Sequence, residues 1–253
     1  MIITTLGTSH GDHTYCRFNS STLIESGSHS YLVDAGAPVN GLLIRAGKDI
    51  CALKAVFITH MHDDHAGGLS GLVKSLIKYP GTDQKTTIYL PEPEAAPGLI
   101  AWLTAQHLFI PDGLITFQCI PKISNPIIYD DGILKTTQIP TGHLSRADGS
   151  AASFAFSMEL EGKKVLFTGD LKEDFSDFPE ILTKESYDLC ICEATHYDPA
   201  TALPLLQNCK LKRLVFNHIH DPWHGEGERK LTEQYTTLQY PYEVAHDGDQ
   251  FII

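Results

Sequence analysis

The chain has 253 residues, of which 42% are hydrophobic and 20% charged, and it carries a formal net charge of −12. That length and apolar content suffice for a large buried core in one domain, residues 1–253, and the excess of acid argues against broad nucleic-acid binding, which needs Lys and Arg to neutralise phosphates. No stretch reads as membrane-spanning, and the N-terminus lacks a basic region followed by an apolar one; no membrane association is expected, and a cytoplasmic protein is the default.

In chain order, residues 2–6 read as a strand running into the polar loop Gly7-Thr8-Ser9-His10-Gly11-Asp12-His13. His10 there is weighed equally as solvated or as part of a cleft rim. Strands follow at 22–25 and 31–34, the latter leading into Asp34-Ala35-Gly36. The next apolar run, Val56-Phe57-Ile58, has the composition of a buried strand and stops at Thr59. Within six residues come His60, His62, Asp64 and His65, then Gly67-Gly68 and a helical spacing of Leu69, Leu72, Val73, Leu76 and Ile77. A helix over 66–78 follows from that spacing. Imidazoles and a carboxylate this dense on a turn are costly if buried without partners and are the ligand types of zinc and its neighbours.

Beyond Tyr79-Pro80-Gly81 the pattern gives a strand at 86–90, a helix over about 94–107, and strands between 114 and 139 with turns at Asn125-Pro126 and 130–132. His143 follows the strand-like 136–139 run. Runs at 152–159 and 163–168 make a hairpin across Glu161-Gly162, and Gly169-Asp170 comes after the second. A strand at 188–192 leads into Glu193-Ala194-Thr195-His196. A helix over 199–206 precedes the run 213–217 and His218. The pattern closes with a helix over 226–238 and a strand at 250–253. The six cysteines are scattered without a Cys-x-x-Cys pair, and Cys190 and Cys192 share a strand face as small hydrophobes.

His60-x-His62-x-Asp64-His65 after a strand ending in Thr resembles the signature of the metallo-β-lactamase-fold hydrolases, and His143, Asp170 and His218 supply the family's later ligands in order. The opening Leu6-Gly7-Thr8-Ser9, with Arg17-Phe18-Asn19-Ser20-Ser21, is similar to the phosphodiesterase branch that includes ribonuclease Z. Glu193-Ala194-Thr195 resembles a loop of the same branch, although Cys192 stands where that branch has histidine and His196 lies on the other side. The long glycine-, proline- and Lys-rich arm by which ribonuclease Z grips tRNA has no counterpart here.

The resemblance implies a four-layer αββα sandwich and two divalent metal ions, zinc in the first place with manganese or iron as alternatives. His60, His62 and His143 would hold one ion, Asp64, His65 and His218 the other, and Asp170 would bridge them. A hydroxide shared by the ions would be the nucleophile, with Asp64 orienting it. Asp34 would support the ligands from behind, and His220 would donate to a substrate oxyanion or support the site. Glu193, His196 and His10 would lie behind the ligands or at the substrate rim. The expected activity is hydrolysis of a small anionic phosphodiester or nucleotide. Thioester hydrolysis of the glyoxalase II kind, lactone hydrolysis and a non-catalytic metal-binding role stay open, as does a homodimer.

Overall fold

In the computed structural model, residues 1–82, 84–123 and 125–253 are described. The chain divides into two compact units, residues 1–120 with 246–252, and residues 121–245 with 253. Each is built on one mixed sheet with helices.

The first unit contains β1 (Ile2–Gly7), β2 (Ser21–Ser26), β3 (His29–Val33), α1 (Val39–Arg45), β4 (Leu53–Phe57), α2 (Asp63–Ala66), α3 (Leu69–Lys78), β5 (Thr86–Leu90), α4 (Ala95–Ala105) and β6 (Ile115–Cys119). Among the described residues its sheet has seven strands, ordered as the C-terminal strand Asp249–Ile252, then β1 through β6. Pairing is antiparallel from the C-terminal strand to β3 and parallel from β3 to β6. Helices connect the parallel strands, as parallel pairing requires. Leu69, Leu72, Val73 and Leu76 of α3 are buried in one cluster with Leu32, Val56 and Ile58, so the helical spacing seen in the sequence is the core face of that helix.

The second unit contains β7 (Ile127–Asp130), β8 (Leu134–Ser145), β9 (Ala151–Leu160), β10 (Lys163–Phe167), α5 (Ile181–Lys184), β11 (Leu189–Ala194), α6 (Pro199–Leu206), β12 (Leu214–Ile219), α7 (Gly227–Glu233) and β13 (Tyr242–Val244). Its sheet runs in the order β13 to β7 and repeats the first unit's plan, antiparallel from β7 to β10 and parallel from β10 to β13. Cys190 and Cys192 are fully buried in this unit's apolar core, as the alternation predicts.

Several boundaries differ from the sequence reading. The helix expected over 66–78 is two pieces, α2 and α3, so Asp64 and His65 lie on a helical turn rather than in a loop. The strand expected to stop at 139 continues through Pro140 to Ser145. Pro140 has no N–H to donate, and β7 pairs with β8 only as far as Thr137, so the missing donor falls where β8 has lost that neighbour. The helix expected to reach 238 ends at Glu233 because its last bonds tighten: the Tyr235 amide donates to the Thr232 carbonyl and that of Leu238 to Tyr235.

Candidate metal centre

In the first unit the ligand-type side chains stand beyond the C-terminal end of β4. His60 is fully buried, Asp64 and His65 nearly so, and His62 is exposed. The ring centroids of His60 lie 4.6 Å from His62 and 4.1 Å from His65. Asp34, just past β3, supports them. Its Oδ1 accepts from the Thr59 amide at 2.8 Å, its carboxylate accepts the Thr59 hydroxyl at 2.9 and 3.0 Å, and His65 Nδ1 lies 2.8 Å from its Oδ2.

This network decides the histidine tautomers. A carboxylate only accepts, so His65 carries its hydrogen on Nδ1. Thr59 spends its single hydroxyl hydrogen on Asp34, so its oxygen accepts from His60 Nδ1, 3.2 Å away. Both imidazoles are left with Nε2 as the lone-pair atom, the form that binds a metal. His65 Nε2 then lies 3.5 Å from Asp64 Oδ2. Two lone-pair atoms at that separation call for a cation or proton between them, so the donor set fits a divalent metal.

Backbone geometry serves the same end. Asp34 has φ 61°, left-handed for a non-glycine residue, which costs about 1–2 kcal/mol and is tolerated best by Asp and Asn among residues with a side chain. Gly36 is required by close approach: a Cβ there would lie 2.2 Å from the Asp64 carbonyl oxygen and 2.6 Å from Asn19 Cβ. Asn19 belongs to the Arg17-to-Ser21 motif, whose role in the fold is structural. Buried Arg17 donates to Thr8 Oγ1 at 2.6 Å, and Asp247 accepts from Thr8 Oγ1 and the Phe18 amide, both at 2.7 Å. Asn19 Nδ2 reaches the Gly11 carbonyl at 3.3 Å, which holds the loop carrying His10, itself half-buried.

The second unit gathers its candidates around Asp170, which follows β10 and is almost fully buried. His143 Nε2 lies 3.7 Å from Asp170 Oδ2, and His218 Nε2 lies 3.4 Å from Oδ1. Both oxygens of the carboxylate thus face imidazoles. His196 Nδ1 is 3.8 Å from Asp170 Oδ2 and 2.9 Å from Glu193 Oε2. One ligand atom from each of Asp170, His196 and His218 lies within 4.8 Å of the others, a spacing that could hold a cation.

His143 and His218 are not where the sequence reading put them. Neither follows a strand. His143 lies inside β8, where the register with β9 breaks between Thr141 and Ser145. His218 lies inside β12 with φ 52°. Glu193, the last residue but one of β11, is buried. It accepts from the Leu171 amide at 2.5 Å on Oε1, and from the Thr195 and His196 amides at 3.0 Å on Oε2. His220 lies just beyond β12, half-buried, and its carbonyl accepts from the Trp223 amide. Trp223 packs against this unit's core. Sequence reasoning missed the parts played by Thr59 and Thr195. Their signal was a hydroxyl residue next to, or one residue from, a histidine at a strand end.

Residues 14–185 match the Metallo-beta-lactamase superfamily, about two thirds of the chain. The chain belongs to that superfamily. Its fold class is accordingly the superfamily's α/β sandwich. Within the superfamily it is similar to ribonuclease Z of Pseudomonas putida F1, 43% identical over 88 residues that cover 34% of this chain and 27% of that protein. The match thus spans about a quarter of that relative's length. Ribonuclease Z of Listeria monocytogenes is 22% identical over 275 aligned positions, covering 86% of this chain and 87% of the relative. Among solved structures, the short form of human tRNase Z superposes with a TM-score of 0.77 at 21% identity, over 100% of this chain and 99% of that one. Among the described residues, no helix is long and apolar enough to cross a membrane.

Proposed function

We propose that this chain is a metal-dependent phosphodiester hydrolase acting on a small phosphodiester or nucleotide, with residues 1–253 as one catalytic domain. The observation that carries the reading is the donor set of each unit: imidazoles whose Nδ1 hydrogens are taken up by Asp34 and Thr59 in the first, and a buried carboxylate facing imidazoles from both oxygens in the second. His60, His62 and His143 would hold one divalent cation and Asp64, His65 and His218 the other, with Asp170 shared. Nitrogen and oxygen donors of this kind suit zinc first, and manganese or iron next. When bound, such a pair lowers the pKa of water and neutralises charge on phosphoryl oxygens.

The chain's own groups supply orientation. Asp64 accepts a hydrogen bond from the attacking water and aims it. His220 donates to a phosphoryl oxygen, while His10 and His196 line the substrate side and Glu193 supports His196. Phosphodiesters are favoured over thioesters and lactones because the chain aligns with ribonuclease Z. A net charge of −12 favours a small anion over a long polyanion. The ribonuclease Z alignments support a second reading, cleavage of an RNA phosphodiester.

The test is elemental analysis of the purified protein together with turnover of bis(p-nitrophenyl) phosphate, a glutathione thioester and a precursor tRNA, each with added zinc or manganese. Two metals per chain and cleavage of the small diester are expected. Cleavage of precursor tRNA alone would establish the second reading. Thioester cleavage alone, or absence of metal uptake, would overturn both.

A further inference from the structure

The pairing of β11 with β12 contains an extra residue. Cys192 pairs with Phe216 and Glu193 with Asn217, but Ala194 pairs with Ile219, so the register of the ladder skips His218. The apolar positions show the consequence. Leu214 and Phe216 enter the core, and strict alternation would send His218 after them; instead Ile219 takes the next core place. The bulge at His218, with its left-handed φ, therefore keeps an imidazole out of the hydrocarbon core and turns it toward Asp170.

A left-handed histidine persists only where its surroundings hold it. The holding group is the Thr195 hydroxyl, which donates to the His218 carbonyl. Thr195 is itself fixed, because Glu193 Oε2 accepts its amide while Glu193 Oε1 accepts the amide of Leu171, next to Asp170. One buried carboxylate thus ties down both the Asp170 segment and the segment that carries the Thr195 hydroxyl.

We infer that Thr195 is a positioning residue for metal binding: its hydroxyl locks the bulge that presents His218 beside Asp170. This rests on the reading that His218 and Asp170 are ligands. In it the Glu193-Ala194-Thr195 segment acts as a strut between ligand-bearing segments, whatever part it plays in proton movement.

The test compares wild type, Thr195→Val and Thr195→Ser by competition for zinc and for cobalt with a chromophoric chelator, alongside the unfolding temperature of the metal-free proteins. Valine keeps the shape and loses the donor; serine keeps the donor. Thr195→Val should weaken binding at one of the sites about tenfold, in the range typical of groups that orient metal ligands. Thr195→Ser should stay within about threefold of wild type on that same scale. Wild-type affinity in Thr195→Val would overturn the inference and leave the hydrolase reading intact. Equal losses in Val and Ser variants, or a loss in the Val variant matched by collapse of the metal-free fold, would also overturn it. A wild-type protein that binds no metal would instead overturn the hydrolase reading, and this inference with it.

Discussion

Replacing Asp34 by Asn tests the tautomer network most directly. Asparagine has nearly the same shape and tolerates the left-handed backbone at position 34, so the change removes charge and one acceptor without adding strain. Asp34 accepts from the Thr59 amide at 2.8 Å, from the Thr59 hydroxyl at 2.9 Å, and from His65 Nδ1 at 2.8 Å. Asparagine offers one oxygen. If that oxygen stays on Thr59, the new amide hydrogens face His65 Nδ1 and force its hydrogen to Nε2, which removes the lone pair that would hold a metal. If the oxygen turns to His65, the buried Thr59 amide loses its acceptor. Partners of this kind typically govern 10- to 100-fold in metal affinity, which at about 1.36 kcal/mol per factor of ten is roughly 1.4–2.7 kcal/mol. Loss of a hydrogen bond to a charged group is worth about 1.5–3 kcal/mol, so the two magnitudes agree. The assay is zinc competition against a chromophoric chelator, with unfolding of the metal-free protein as control. Zinc affinity within threefold of wild type (less than about 0.7 kcal/mol on the same scale) would refute the tautomer argument.

Gly36→Ala should lower the unfolding temperature by at least about 5 °C, because its Cβ would meet the Asp64 carbonyl oxygen at 2.2 Å; an unchanged melting curve would show that the loop has room. Thiol labelling at pH 8 in native buffer should modify the exposed Cys16 and Cys119, and Cys190 and Cys209 only in denaturant, since burial raises the Cys190 thiol well above its usual range and pushes that of Cys209 up to about 12. Rapid native labelling of Cys190 would contradict the packing of β11. Burial raises the Asp247 carboxyl above the usual carboxylate range, while Thr8, the Phe18 amide and Arg17 pull it down less strongly. A raised folded-state value contributes stability that is fully present below the unfolded value and is lost as pH rises through the folded one. The stability of wild type relative to Asp247→Asn should therefore fall as pH climbs from 3 towards 6, measured by urea unfolding, and a difference that grows over that window would reverse the assignment.

Local pattern carried much of this structure. The dense His60-to-His65 cluster, the apolar run before it and the spacing of Leu69, Leu72, Val73 and Leu76 are all contiguous, and their elements appeared close to where the spacing put them. The lone candidates were harder to place. His143 and His218 occupy irregular register inside strands, and a bulge shifts which residues face the core without altering composition. The α1 helix escaped notice because only Val39, Leu42 and Leu43 mark its buried face, over seven residues that include a glycine. The Arg17–Thr8–Asp247 tie joins positions more than 200 residues apart, and no local signal in a single sequence could reveal it.

The two units reach their ligand geometry by the same physical route. Each begins with antiparallel strands and changes to parallel ones, and each carries most of its chemistry where parallel strands finish: Asp34 after β3 and the histidine cluster after β4, then Asp170 after β10, His196 after β11 and His218 near the end of β12, with His143 of the antiparallel strand β8 as the exception. In open α/β sheets, ligands gather at the carboxyl ends of parallel strands. Buried imidazoles and carboxylates are expensive there unless each polar atom has a defined partner. Each unit meets that demand with a buried carboxylate, Asp34 or Glu193, and a threonine hydroxyl, Thr59 or Thr195. Each also holds a non-glycine residue of its network in left-handed conformation, Asp34 in one and His218 in the other. At these two positions the backbone strain falls on residues whose side chains must be aimed, while the neighbouring strands stay regular enough to form the core.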